Sequence, residues 1–236
     1  MSGLRILKKT YTDIYKNIYA VAFSSFAWFL TGGVFVVVTT VGVEVGSLLP
    51  GVVAAIFIGP ATAGCFYITN RIVNYERVRF KDFFIGVKRF FFPALGISLL
   101  WSLIVSILVV DFYFFVSSSY RLLNLISPFW IYLLIYFGIV SIYLFPLLIE
   151  FDRLEDDFSL LDVFKYSLLL TSDDIKYTLL IFINIFLFGG LTSVIFILLP
   201  ILFMGGISLT ANNAAVNLLV NQGVKTEVTG PYDYKE

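Results

Sequence analysis

Five long stretches of this chain carry no charged residue: 19–43, 45–70, 90–110, 122–149 and 177–224. A helix needs about 20 mostly apolar residues to cross the hydrocarbon core of a bilayer. Each of the first four stretches therefore holds one crossing, and the last, interrupted at Pro200, holds two. The fold class this predicts is all-α: an integral membrane bundle of six transmembrane helices.

Composition leaves little room for anything else. Hydrophobic residues make up 59% of the chain and charged residues 14%, against roughly 25% charged in an ordinary soluble domain. One six-helix transmembrane domain is expected over residues 1–222, with a polar cytoplasmic tail at 223–236. The 26 Phe and 14 Tyr suit lipid-facing and interfacial positions. Histidine is absent and Cys65, in the second run, is the single cysteine. Neither a disulfide nor a zinc site of His and Cys ligands can then form within one chain, and neither a metal site nor a cofactor is expected. The basic N-terminus ahead of an apolar run has the look of a signal peptide, but that run is longer than the 7 to 15 residues of a signal core. It reads as a retained first helix.

Orientation follows from the basic residues. Four precede the first run (Arg5, Lys8, Lys9, Lys16), six lie in 71–89, three in 153–176 and two in the tail, so fifteen of the sixteen fall on one side and only Arg121 on the other. Basic segments stay on the cytoplasmic side. The expected location is the cell membrane, multi-pass, with both termini cytoplasmic and outer turns near 42–50, 111–121 and Pro200.

Three of the cytoplasmic segments read as short amphipathic helices lying in the headgroup plane. The first sets Leu4, Leu7, Tyr11, Ile14 and Ile18 against the N-terminal basic residues. The second groups Phe80, Phe83, Phe84, Val87, Phe90 and Phe91, with Lys81, Asp82, Lys88 and Arg89 facing away. The third groups Phe158, Leu161, Phe164 and Leu168 opposite Asp162 and Lys165. Three units of surface helix plus hairpin would make the fold pseudo-symmetric, as in many transporters. Thr171, Ser172 and Asp173 are good caps for the fifth crossing, and Pro146 should kink the fourth.

Two stretches resemble the YesL family, also called DUF624, of multi-pass membrane proteins. One is IGPATAGCFYITNRIVNYERVRFKDFFIGVKRFF at 58–91, similar to the family's Gly-Pro-Ala-Thr-Ala motif, basic turn and Phe-rich surface helix. The other is YLFPLLIEFD at 143–152, with KYSLLLTSDDIKYTLL downstream. The chain departs from the family between Asn17 and Gly59, where it carries an extra VEVGSLLPG turn, and archaeal hairpin families are an alternative kinship. The resemblance implies a six-helix protein whose relatives are suspected of a link to carbohydrate uptake. It marks Gly59, Pro60, Ala61, Phe145 and Pro146 as structural motif residues and supplies no catalytic ones.

The sixth crossing offers one polar face, with Gly206, Thr210, Asn213, Ala214 and Asn217 falling within three turns of one another. Small residues permit close helix approach and amides bond across helices. The alternatives are a polar cavity for a neutral solute and a contact with a partner helix. A similar small-residue ladder, Ala55, Gly59 and Ala63, runs through the second crossing. Charge at membrane depth would be a stronger signal, but Asp111 falls at the outer interface. Glu150, Asp152, Glu155, Asp156 and Asp157 read as a solvated acidic linker, since their spacing lacks the central glycine of a calcium loop. The 71–89 segment reads as a contact for anionic lipid headgroups, with no nucleic acid partner. Phosphate loops, nucleophile elbows and paired-carboxylate sites are missing. Three readings remain open: a non-catalytic accessory or assembly subunit linked to solute uptake, a small permease acting as a homo-oligomer, and an intramembrane enzyme. The bilayer is the expected partner, with a membrane protein or a second copy beside it.

Overall fold

The computed structural model describes residues 3–44, 49–117, 120, 124–154 and 159–226, with side chains described everywhere in these except 33–56. The described chain is all-helical. It runs α1 (Gly3–Lys16), α2 (Ile18–Glu44), α3 (Leu49–Val73), α4 (Lys81–Arg89), α5 (Phe91–Val116), α6 (Ser127–Val140), a 3-10 turn (Ser141–Tyr143), α7 (Leu144–Arg153), α8 (Leu160–Asp173), α9 (Ile175–Val194), a second 3-10 turn (Phe196–Leu198) and α10 (Leu199–Asn221). Four helices among the described residues are long and apolar enough to cross a membrane: Phe91–Val116, Ser127–Arg153, Ile175–Val194 and Phe196–Asn221. Only Ile18–Gly32 of α2 enters that comparison, as a shorter apolar helix. The expected turn over 45–48, Ala55, Arg121, the acids Glu155, Asp156 and Asp157, Phe158 and the tail beyond residue 226 lie outside the described residues or side chains.

Prolines set the breaks. Pro146 offers no backbone donor and its ring crowds the carbonyl four residues back, and just before it α6 tightens into the 3-10 turn at Ser141–Tyr143 before resuming as α7. Pro200 sits in the first turn of α10, where a missing N–H is harmless.

Helix α3 is the hub, packed by α2, α4, α5, α7 and α10, and small residues explain how. A side chain at Gly59 would lie 2.8 Å from the Ala94 carbonyl oxygen of α5, and one at Gly64 would lie 3.0 Å from the Phe83 carbonyl oxygen of α4. Polar links across α2 then fix the register: Trp28 Nε1 donates to Thr62 Oγ1 at 3.0 Å, and Cys65 Sγ donates to the Ser24 carbonyl at 3.0 Å. On the other side of α2, Gly205 N of α10 donates to Ser25 Oγ at 2.8 Å.

The three surface helices exist, and each divides its apolar residues between an exposed side and a side packed on the bundle. In α1 the buried residues are Ile6, Thr10, Asp13 and Ile14, while Leu4 and Tyr11 are exposed. In α4, Asp82 does not face away: it is buried with Phe83, Gly86 and Phe90, while Phe80 and Phe84 are exposed. In α8 the buried set is Val163, Phe164, Ser167, Leu170 and Thr171, and Leu161 is exposed. The physical reason is shared. Beside a bilayer, apolar side chains can face lipid, so the face turned to the protein is free to carry polar groups that find partners there. Capping differs as well. Thr171 lies within α8, and α9 is capped by Asp174, whose carboxylate accepts from Tyr177 N at 3.0 Å. A capping box starts α8: Ser159 Oγ accepts from Asp162 N, and Asp162 accepts from Ser159 N.

Candidate functional site

The polar side chains of this fold gather at one end of the bundle, where α1, the end of α3, α4, α7 and the segment after α10 meet. Glu150, near the end of α7, is fully buried. Its Oε1 accepts from Asn70 Nδ2 at 2.6 Å and Asn74 Nδ2 at 3.0 Å, and its Oε2 accepts from Lys225 Nζ at 2.5 Å. Lys225 also donates to Asn74 Oδ1 at 2.8 Å. A buried charge is tolerable only when paired and hydrogen-bonded, and both carboxylate oxygens here are occupied. Burial pushes the Lys225 ammonium below its ordinary range, against the opposing attraction of Glu150. The solvated-linker reading is thus overturned for Glu150. The polar tail, too, starts locked into the bundle, because Asn74, just beyond α3, and Glu150 both accept from Lys225.

Next to this cluster lies a chain of ion pairs. Arg71 meets Glu76 at 3.0 Å and Asp82 at 3.2 Å, Arg153 meets Glu76 at 2.5 Å, and Arg89 meets Asp152 at 2.7 Å. All of these except Asp82, together with Tyr67, Asn70 and Ile149, line a polar cup of about 400 Å³. The basic segment expected to meet headgroups is therefore partly turned inward, onto its own acids.

A second cluster ties down α1. Lys9 Nζ donates to Asp13 Oδ2 at 3.0 Å and to Asn213 Oδ1 at 2.5 Å, while Asn213 Nδ2 donates to Thr10 Oγ1 at 3.2 Å and Asp13 Oδ2 at 3.3 Å. Lys9 also sits 5.2 Å from the centre of the Tyr75 ring. The polar face expected on the last crossing is consequently divided among different neighbours. Gly206 abuts the Phe188 ring of α9, and Thr210 donates to its own helix at the Gly206 carbonyl, 2.8 Å away. Asn213 holds α1, and Asn217 lies beside Tyr177 of α9. Of the motif residues, Gly59, Pro60 and Ala61 are buried in the middle of α3. Phe145 stacks on Phe66 with ring centroids 5.4 Å apart, and Pro146 is buried beside it.

Deeper in the bundle, about 460 Å³ of space opens between α3, α5, α6, α9 and α10, lined mainly by apolar side chains such as Ile58, Ile97, Trp101, Phe182 and Met204. None of the four polar-face residues lines it, and no titratable side chain does. Thr62, Ser98, Ser102 and Ser141 also line it, and the hydroxyls of Thr62 and Ser141 bond to the carbonyls of Ile58 and Gly138.

Sequence reasoning missed Asn70, Asn74, Glu150, Lys225 and Asn212. The signal for the first three was present in two amides one turn apart at the end of an apolar run and an acid directly abutting another. Asn212, fully buried, donates to Thr69 Oγ1 at 2.8 Å and to the Phe66 carbonyl at 3.0 Å. Its neighbour Asn213 drew attention by its spacing, while Asn212 faces α3 off that stripe. No family model, no curated protein and no solved structure matches this chain. The resemblance to the YesL family rests on the two motif stretches alone.

Proposed function

We propose that this chain is a six-span protein of the cell membrane, with both termini cytoplasmic, and that it serves as a non-catalytic accessory or assembly subunit of a solute uptake system. The observation that carries the reading is the disposition of charge: ionisable groups at the bundle end are paired with one another, and none reaches the apolar space inside. A permease for a neutral solute such as a sugar needs a continuous polar path, and a cavity lined by Ile58, Ile97, Trp101 and Phe182 is a poor match to a carbohydrate. An enzyme needs polar groups converging on a pocket. The cup gathers polar groups, but both carboxylates in its lining, Glu76 and Asp152, are engaged by arginines.

The six-span count joins the four long apolar helices to α2 and α3, each of which is long enough to cross. The gathering of Lys9, Tyr75, Glu150 and Lys225 at one end agrees with an even number of crossings and with the fifteen basic residues on one side. The link to carbohydrate uptake comes from the YesL resemblance. Isolation of the tagged chain from native membranes, followed by identification of its stoichiometric companions, tests the reading. Transporter subunits are expected. Sugar uptake by proteoliposomes holding this chain alone would instead establish the permease.

A further inference from the structure

The polar cup and the apolar cavity share two helices. On α3, Ile58, Thr62 and Phe66 face the cavity, and Asn70, one turn further, faces the cup. On α7, Phe145 faces the cavity while Ile149 and Asp152 face the cup. Four residues advance a helix by about 6 Å, so the two spaces follow one another along the same pair of helices, with the stacked rings of Phe66 and Phe145 between them. Polar at the bundle end and apolar toward its middle, together they have the shape of an amphiphile.

The chemistry of each part narrows the class. Arg71, Arg89 and Arg153 face Glu76 and Asp152 in the cup, and Asp82 pairs with Arg71 behind it, so the three guanidiniums and three carboxylates balance. A guanidinium carries five N–H donors, whereas the ion pairs engage two nitrogens of Arg71 and one each of Arg89 and Arg153. Donors remain in a fork geometry suited to phosphate oxygens, and the carboxylates hold the forks in place. Arg89, the last residue of the surface helix α4, lines the cup, and amphipathic surface helices lie at the depth of lipid headgroups. In the cavity, a Cβ added at Gly138 would meet nothing within 4 Å. The volume of this mainly apolar space falls within the roughly 300–1,000 Å³ of small-ligand pockets.

We propose that a single phospholipid occupies both spaces, its phosphate on Arg71, Arg89 and Arg153 and one acyl chain passing the Phe66 and Phe145 rings into the cavity. The site does not depend on the accessory-subunit reading. It is tested on the full chain, purified in detergent, stripped of lipid and titrated with dioleoyl phosphatidylglycerol while native mass spectrometry counts bound lipid. Dioleoylglycerol, with the same chains and no phosphate, and inorganic phosphate, with no chains, form the other arms. One phosphatidylglycerol is retained where neither control is. Arg89→Gln weakens retention about tenfold, and Gly138→Phe, which fills the cavity, does so comparably without lowering thermal stability in lipid-free detergent. Arg89→Lys keeps a cation beside Asp152 and loses the fork; it weakens retention several-fold and reads the same arm if the glutamine variant does not fold. Unchanged retention in Gly138→Phe and Arg89→Lys overturns the site, and inorganic phosphate bound as tightly as the lipid overturns the lipid assignment.

Discussion

Removing the ammonium of Lys225 tests whether the segment after α10 is a structural part of the bundle. In Lys225→Met the side chain keeps its apolar length, and Glu150, fully buried, loses the one cation bonded to it among the described residues. Breaking one side of a buried ion pair costs about 3–5 kcal/mol, because the partner is left charged and uncompensated. Two features set the value at the lower end, about 3 kcal/mol: Asn70 and Asn74 continue to donate to the carboxylate, and the strap is short. It is held to α10 by the Val224 and Lys225 amides on the Leu219 carbonyl, so it can lift away and admit water. For a chain of this length about 3 kcal/mol corresponds to a fall of roughly 6–12 °C in Tm. The assay is thermal unfolding in a mild detergent, run as a double-mutant cycle with Glu150→Gln. The double variant removes both charges and should recover most of the loss. A Tm for Lys225→Met indistinguishable from that of the original chain, or losses that simply add in the double variant, would refute the argument.

Further outcomes follow from the packing and the topology. Gly59→Leu drives a side chain into the Ala94 carbonyl and should lower stability by about 1–3 kcal/mol, whereas Val110→Leu on the exposed side of α5 should be nearly neutral in the same unfolding assay. Asn213→Leu forfeits contacts to Lys9, Thr10 and Asp13, so at about 0.6 kcal/mol for each membrane hydrogen bond it should cost about 1–2 kcal/mol. Limited proteolysis should then find α1 released, while Asn217→Leu should leave α1 protected. For topology, single cysteines at Ser117 and Lys165 in a Cys65→Ser background should react with an impermeant thiol reagent from outside and from inside respectively; reaction from the same side would contradict an even, six-span threading. Ser159→Ala should flatten the acid limb of stability. The Asp162 carboxyl is held below its ordinary value of 3.8 by hydrogen bonds from Ser159, so its contribution is complete above that value and disappears as pH falls through the lower folded pKa.

What the sequence revealed and what it hid divide along a physical line. The apolar runs were legible because length against bilayer thickness is a strong constraint, and the breaks at Pro146 and Pro200 were legible because proline has one effect on a helix. The small residues of α3 announced close packing, and Gly59 lies where α5 approaches. The buried faces of α1, α4 and α8 were not legible from amphipathicity. An apolar face turned to lipid leaves open which polar groups are matched on the face turned to the protein. Asp82 was read as facing away and Thr171 as a cap, whereas Asp82 is buried against Arg71 and Thr171 donates within its own helix.

The polar end of the bundle shows a further reason. Hydrogen bonding and ion pairing join residues far apart in the chain, Asn70 with Glu150 and Glu150 with Lys225, and no periodicity within one segment encodes such a match. What a segment does encode is the need for one. An acid abutting an apolar run, such as Glu150, must be hydrated or paired at the edge of the hydrocarbon zone. In this chain the partners are two amides spaced one turn apart and a lysine just beyond the last crossing, each able to reach the same depth. Unpartnered polar residues at the ends of apolar runs are therefore best read together, as one set to be matched across helices. In that reading Asn70, Asn74, Glu150 and Lys225 form a group, and Arg71, Glu76, Arg89, Asp152 and Arg153 form the next.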